Sequence, residues 1–83
     1  MTLDDLMQAE KRTVGVKQTE KAVVKGTALK VFVAKDADER VTEKLVELCE
    51  EKAVGVVMVE TMHELGKACG IHVKAAAAAI INS

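Results

Sequence analysis

The pattern of hydrophobic and polar positions divides the chain into alternating helical and extended segments. Apolar residues three and four positions apart predict helices, whereas short apolar runs rich in β-branched residues predict strands covered on both faces. Helices are predicted over about Leu3–Lys11, over about Lys17–Lys25, from Asp38 to about Lys52, and from Thr61 to Gly70. Extended segments are predicted over Thr13–Val16, Leu29–Ala34 and Gly55–Glu60.

The predicted helices have distinct apolar and polar faces. In the second helix, the residues expected to face inward are Thr19, Ala22 and Val23. In the third helix they are Val41, Leu45, Leu48 and Cys49, with glutamates facing water. Asp38 is suited to cap the third helix. The fourth helix opens with a capping box, in which Thr61 and Glu64 each satisfy a free backbone N–H.

The last segment, Ala75–Ile81, is ambiguous. Its five alanines favour helix, whereas Ile80 and Ile81 favour strand. Strands joined by helices of roughly ten to fifteen residues form β-α-β crossovers, which place helices on both faces of a sheet. The predicted fold class is therefore α/β: a three-layer α/β/α sandwich around a small, mainly parallel sheet, in a single domain over residues 1–83.

Composition narrows the ways in which the chain could recognise nucleic acid. Phe32 is the single aromatic residue, which argues against stacking unpaired bases on aromatic side chains. The formal net charge of −1 conceals a separation, with a net +3 in residues 1–35, −6 in residues 36–64 and +2 in residues 65–83. This separation fits a basic binding surface, and it equally fits ordinary solvated faces.

The sequence offers little for catalysis or metal binding. Cys49 and Cys69 match no zinc-ligand spacing and are expected to be buried free thiols. His63 is expected to face solvent on a helix and His72 to lie in a loop. No nucleophile elbow or phosphate-binding glycine motif occurs. We therefore expect no enzyme activity, no cofactor and no metal, and a reducing, cytoplasmic setting without a signal peptide or membrane span.

The first candidate site is the start of the second helix. Gly15 is followed by Lys17, Gln18 and Lys21, and Lys25 continues the four-residue spacing. Free N–H groups and the positive end of the helix dipole favour a phosphate, and a glycine allows a close backbone approach. Gln18 can pair with base edges, whereas the lysines supply point charges. Taken alone, this is weak evidence for RNA binding, since many helices begin in this way.

The second candidate site is Leu65–Ala75, where a helix ends in glycine and a partly apolar loop follows. Lys67 and Lys74 lie on the two sides of this loop. Ile71 and Val73 are either core anchors or an apolar wedge that presses against bases.

With both segments identified, the chain resembles a known family over nearly its whole length. The matching passages are Gly15-x-Lys17-Gln18-x-x-Lys21-Ala22, Val33–Asp38, Leu48–Lys52 and, most specifically, Leu65-Gly66-Lys67-Ala68-Cys69-Gly70, which precedes a loop and an Ala-rich end of the form A-I-I-N. In these passages the chain resembles the kink-turn-binding ribosomal proteins of the L7Ae family, and most closely their short bacterial branch, the YbxF type.

The resemblance implies both a fold and a function. It makes the tail a fourth strand of a mixed sheet, and it implies binding to a kink-turn, an RNA duplex sharply bent at a bulge beside tandem sheared G·A pairs. The family's second helix enters the groove at those pairs, the loop after the L-G-K-A motif covers the bulged nucleotides, and Asp38 matches a position that can meet a flipped-out base. The candidate RNA-binding residues are Gly15, Lys17, Gln18, Lys21, Lys25, Asp38, Lys67, Ile71, His72, Val73 and Lys74.

This chain departs from the family pattern at two places. Archaeal and eukaryotic members have Asn-Glu where this chain has Lys17-Gln18, and they have a proline where it has Lys74. The expected partner is ribosomal or other structured RNA containing a kink-turn, bound by a monomer. The rival hypothesis is a protein–protein adaptor that uses the acidic third helix.

Overall fold

The computed structural model describes residues 2–82 and confirms the α/β class, with four helices and four strands in this part of the chain. The helices are α1 (Leu3–Gln8), α2 (Val16–Lys25), α3 (Glu39–Glu51) and α4 (Met62–Ala68). The strands are β1 (Arg12–Val14), β2 (Ala28–Ala34), β3 (Val56–Val59) and β4 (Ala77–Ile81). Within residues 2–82, no helix is both long and apolar enough to cross a bilayer.

The strands form one mixed sheet in the order β1-β4-β2-β3. The β2–β3 pairing is parallel, whereas β4 runs antiparallel to both β1 and β2. The sheet is mixed and four-stranded as expected, but the prediction that it is mainly parallel is wrong. The reason lies in the segment between α4 and β4. It runs back along α4, so that the Ala75 N–H reaches the Met62 carbonyl oxygen (3.1 Å), and β4 therefore starts at the edge where β2 and β3 end.

Alternate residues of β2 and β4 supply two separate cores, one on each face of the sheet. One core contains Phe32, Ala34, Ala78 and Ile80, packed with Leu6 of α1 and Leu65 of α4. The other contains Val31, Val33, Ala77 and Ala79, packed with Val23 of α2 and Leu45 and Cys49 of α3. This arrangement confirms the three layers. Ala77, Ala78 and Ala79 of the alanine-rich tail are all fully buried between these two helical layers.

The end of the first helix differs from the prediction. The first helix ends at Gln8 instead of Lys11, because Ala9 adopts an extended conformation. The Arg12 guanidinium then donates to the carbonyl oxygens of Leu6, Met7 and Ala9 (3.5, 3.5 and 3.2 Å). It takes over the Leu6 and Met7 carbonyl oxygens, which the N–H groups of residues 10 and 11 would have bound in a longer helix.

Two predictions about burial are wrong. Val41 of α3 is 49% exposed, whereas its neighbour Thr42 is 6% exposed and faces inward. The sheet is narrow, and β3 is one of its two edge strands, with Met58 49% exposed. The segment around β3 therefore forms a half-covered edge and not a strand buried on both faces.

Candidate nucleic-acid interface

Three helices begin at one edge of the sheet, the edge at which three of the four strands end. Strands β1, β2 and β3 end at the edge where β4 begins, and α2, α3 and α4 each follow one of those ends. Two hydrogen bonds close this edge: the Gly15 N–H donates to the Ala77 carbonyl oxygen (2.8 Å), and the Ala34 N–H donates to that of Ala76 (3.0 Å). We call residues 14–18, 34–38 and 71–76 together the loop edge.

The helix starts at this edge differ in how their free N–H groups are satisfied. Asp38 caps α3 as predicted, accepting from the Arg40 N–H (2.9 Å). At α4 the Thr61 hydroxyl accepts from the Glu64 N–H (3.0 Å), which is one half of the predicted capping box. The α2 helix has no acidic residue in its first turn and no side-chain cap. Its free N–H groups and positive dipole end therefore remain available to an external anion.

Gly15 precedes α2 in a backbone conformation that favours glycine. Its φ of 102° and ψ of 151° lie outside the regions that L side chains adopt readily. A Cβ built at Gly15 would meet no atom within 4 Å. The backbone dihedral, and not local crowding, therefore explains the glycine. The open space in front of Gly15 also leaves the start of α2 accessible to a phosphate backbone.

Lys17, Gln18, Lys21 and Lys25 of α2 are all exposed, but they do not share one face. Lys17, Lys21 and Lys25 line a groove of about 560 Å³ between α2 and α3, whereas Gln18, one position further around the helix, lies outside it. Lys25 is eight residues along the helix from Lys17, or about 12 Å at 1.5 Å per residue. Lys25 is therefore remote from the loop edge, while Lys17, Gln18 and Lys21 lie in or close to it.

Gly66 explains the specificity of the L-G-K-A passage. Leu65 and Ala68 are buried, and Lys67 is exposed. A Cβ at Gly66 would overlap the Val73 carbonyl oxygen and would lie 3.4 Å from the Ala75 backbone nitrogen. The glycine therefore allows the loop to lie directly on α4.

The loop between α4 and β4 is anchored at both of its ends. Gly70 has a φ of 77°, and the Ile71 N–H donates to the Gly66 carbonyl oxygen (3.1 Å). Ile71 is half-buried and packs against the core beneath it, while Val73 is 70% exposed. The sequence left two roles open for these residues, core anchor or exposed apolar wedge, and the structure distinguishes them. Ile71 is a core anchor, and Val73 is an exposed apolar group.

The remaining loop side chains form a small basic and apolar surface. Lys67, His72 and Lys74 are exposed, and His72 lies in the loop as expected. His63 lies beside Lys67, Ile71, His72 and Val73 around a shallow hollow of about 260 Å³. The sequence analysis missed His63 as a neighbour of the loop. Its spacing of four from Lys67, which puts both side chains over the same helix face, was the available signal.

Asp38 lies at the start of α3, on the loop edge. Its carboxylate forms an ion pair with Arg40 (3.1 Å) and accepts the Arg40 N–H, and these hydrogen bonds hold the pKa of Asp38 below its ordinary value. The group is therefore an ionised acceptor that is already partly engaged by its own helix.

The sulfur and metal chemistry of the chain is simple. Cys49 and Cys69 are free and buried, as predicted, and burial raises the pKa of both thiols. Among residues 2–82, no three His, Cys, Asp or Glu side chains converge as metal ligands would.

Comparison with known proteins agrees with this geometry. An RNA-binding protein of Caldanaerobacter subterraneus subsp. tengcongensis is 54% identical over 69 residues, which cover 83% of this chain and 84% of that protein. The RNA-binding protein YbxF of Geobacillus stearothermophilus is 44% identical over 81 residues, which cover 98% and 99% of the two chains. Among solved structures, the 15.5kD RNA binding protein of Giardia lamblia superposes with a TM-score of 0.87 at 30% identity, covering 98% of this chain and 71% of that one.

The family model that matches this sequence extends from residue 1 to residue 83. With the sheet order, the loop anchored on Gly66 and the end-to-end similarity to short bacterial relatives in agreement, the chain belongs to the ribosomal protein L7Ae/L30e/S12e/Gadd45 family.

Proposed function

We propose that this protein binds structured RNA and recognises a kink-turn through its loop edge. The observation that carries the proposal is the pairing of an uncapped, acid-free helix start with a loop fixed beside it by backbone hydrogen bonds. The relatives described above are named as RNA-binding proteins and not as enzymes, which agrees with the expectation that this chain is not a catalyst.

Each element of the loop edge has a distinct task in this mechanism. The free N–H groups at the start of α2 receive a phosphate, with Lys17 and Lys21 adding charge. Gln18 lies off the lysine groove and is left to meet base edges at the G·A pairs. Val73 and Lys74 cover the bulged nucleotides. With few aromatic groups available, recognition depends on the shape of the RNA more than on stacking.

The test is a comparison of two RNAs of equal composition, one containing a kink-turn and one a straight duplex. Filter binding should show much tighter binding to the kink-turn. Its affinity should fall with salt with a log–log slope of roughly −4 to −5, as expected for about five phosphate contacts. Equal affinity for the two RNAs would refute kink-turn recognition, and a slope near zero would refute the electrostatic part of the proposal.

One lysine variant and one glutamate variant locate the binding face. Lys21→Ala should cost about 1.5–3 kcal/mol of binding free energy if the lysine is desolvated in the RNA groove. Glu47→Ala, on the exposed side of α3, should have almost no effect. If Glu47→Ala proves damaging and Lys21→Ala silent, the acidic helix is the working surface and the adaptor hypothesis replaces this one.

A further inference from the structure

The groove between α2 and α3 combines an apolar floor with a lysine rim. Val24 of α2 and Leu48 of α3 lie in its floor. Its rim is formed by Lys17, Lys21, Lys25 and Lys44, with Glu20 as the single carboxylate of the lining. Lys44 belongs to a helix rich in glutamate, and only the packing of α3 beside α2 brings it to the other lysines.

The apolar part of this groove is exposed to an extent that RNA binding does not require. Val24 is 59% exposed, and Leu48 is partly exposed on the facing helix. A single exposed apolar side chain needs no explanation. Two of them, contributed by different helices and enclosed by four lysines, form a continuous surface. A phosphate backbone would use the lysines and leave the apolar floor without a partner.

Other surfaces of α3 have a different character. The hollow on the side of α3 near β2 is lined by Glu39, Glu43 and Glu47, with Lys35 as its basic residue. A further hollow borders the groove and shares Lys44 and Leu48 with it, but its other lining residues are Glu47, Glu50 and Glu51. The basic charge is therefore confined to the groove between α2 and α3. It selects an acidic ligand at this groove and not at its neighbour.

We propose that this groove docks a short, acidic, amphipathic helix from a partner protein. Leucine-type side chains of that helix would fill the floor at Val24 and Leu48, while its glutamates would meet the lysine rim, in the manner of helix-in-groove recognition. Both α2 and α3 begin at the loop edge, and α2 has ten residues, or about 15 Å of helix. The groove is therefore suited to about three turns of a bound helix.

Docking has a consequence for RNA. Lys17 and Lys21 belong both to the groove and to the proposed RNA-binding surface. An acidic helix in the groove therefore competes with a kink-turn for the same charges. This competition rests on the proposed function, whereas docking itself does not.

The experiment is a fluorescence-anisotropy titration of the full chain with a labelled, capped helical peptide of about 14 residues. Leucines at positions i, i+3 and i+7 form its apolar stripe and glutamates flank that stripe. A scrambled peptide of the same composition lacks the stripe. We expect saturable binding of the first peptide at about 10–100 µM and binding of the scrambled peptide at least about tenfold weaker.

Matched variants separate the groove from general charge effects. Lys44→Glu and Val24→Gln should each weaken peptide binding about tenfold. Lys11→Glu and Met7→Gln introduce the same changes at exposed positions outside the groove, and they should leave peptide binding within about twofold. Each variant is compared with the parent by its thermal unfolding curve, so that loss of binding is assigned to the groove only in folded proteins.

The RNA arm of the experiment distinguishes failure of this proposal from failure of the proposed function. Val24→Gln should leave kink-turn affinity unchanged, and unlabelled peptide should displace kink-turn RNA from the parent protein. Absence of saturable peptide binding overturns the docking proposal, even where RNA binds well. Equal binding of the scrambled peptide would show that general charge attraction, and not the groove, holds the peptide, and the proposal would be wrong. If Val24→Gln weakens RNA binding and not peptide binding, the groove is an RNA surface and the proposal is also wrong.

Discussion

Gly66 provides a direct test of the link between helix α4 and the loop that covers it. The substitution Gly66→Ala adds one methyl group to a buried helix position. That methyl group would overlap the Val73 carbonyl oxygen, and the Val73 carbonyl carbon and the Ala75 nitrogen would lie 3.2 and 3.4 Å away. All three are backbone atoms, so no flexible side chain can rotate away to make room.

Two opposing terms set the size of the effect. Alanine is favoured over glycine in a helix interior by about 0.8–1.0 kcal/mol. Overpacking a well-filled site costs about 1–3 kcal/mol. Because the obstruction is backbone, we expect the upper part of that range, and a net loss of about 1–2 kcal/mol in the free energy of unfolding. The loop would move off α4, and kink-turn affinity should fall about tenfold, or about 1.4 kcal/mol.

Urea unfolding and filter binding together check this prediction, and Cys49→Ala is the matched control. Cys49 is buried in the core on the other face of the sheet, and truncating it should cost a similar 1–2 kcal/mol, estimated roughly from cavity formation. It should leave RNA affinity unchanged. Amide hydrogen exchange should show faster exchange at Ile71 and Ala75 in Gly66→Ala alone. An unchanged stability and an unchanged RNA affinity in Gly66→Ala would refute the close approach.

Three further predictions follow from the described contacts. Gly15→Asp should abolish RNA binding, and both Gly15→Asp and Gly15→Ala should lose about 1–3 kcal/mol of stability because of the backbone dihedral; if Gly15→Ala loses as much RNA affinity as Gly15→Asp, charge repulsion is not the cause. Thr19 has a buried hydroxyl with no hydrogen-bond partner among the described residues, so Thr19→Val should raise the free energy of unfolding by about 1 kcal/mol. Thr27→Val removes a hydrogen bond to the Ala22 carbonyl oxygen (3.2 Å) and should lower it by about the same amount. Urea unfolding of both variants measures the two changes. The buried thiols of Cys49 and Cys69 have raised pKa values, so they should react slowly with Ellman's reagent in the native state. Stability should also fall as the pH rises from the ordinary thiol pKa to the pKa in the folded protein, because in this range only the unfolded chain ionises freely.

Features governed by local rules were predictable from the sequence. The start of α3 follows from Asp38, and the end of α2 follows from Gly26, since a glycine readily adopts the left-handed conformation that ends a helix. The inward side of α2 follows from helical spacing, since Thr19, Ala22 and Val23 are indeed buried. Each of these depends on neighbours within about one helical turn.

Features governed by distant contacts were not predictable in this way. Ala77–Ala79 by themselves favour helix, and only the adjacent Ile80 and Ile81 favour strand. Burial of all three alanines between two helical layers decides the conformation. The direction of β4 depends on how the preceding loop packs on Gly66. The local sequence of either segment does not determine the geometry of that contact. The expectation of a mainly parallel sheet failed for this reason.

The same division applies to the candidate site. The resemblance identified Gly15, Lys17 and Gln18, but only the structure shows that Gln18 lies outside the groove that Lys17 lines. Lys44 could not be found by spacing along α3, where it is surrounded by glutamates. It joins the lysines of α2 through helix packing, and this contact is the basis for the docking groove.

The hydrogen bonds that close the loop edge also divide the proposed RNA-binding surface into two mechanical parts. The start of α2 is fixed by the Gly15–Ala77 bond, so its N–H groups are held in position before RNA arrives. The loop is fixed at Ile71 and at Ala75, whereas Val73 between them is 70% exposed and Lys74 is exposed as well. A preorganised helix start loses little entropy on binding a phosphate. In the proposed mechanism it therefore favours affinity for the part that all kink-turns share. We expect the exposed centre of the loop, with Lys74 where the archaeal and eukaryotic pattern has a proline, to adjust to bulged nucleotides that differ among RNAs.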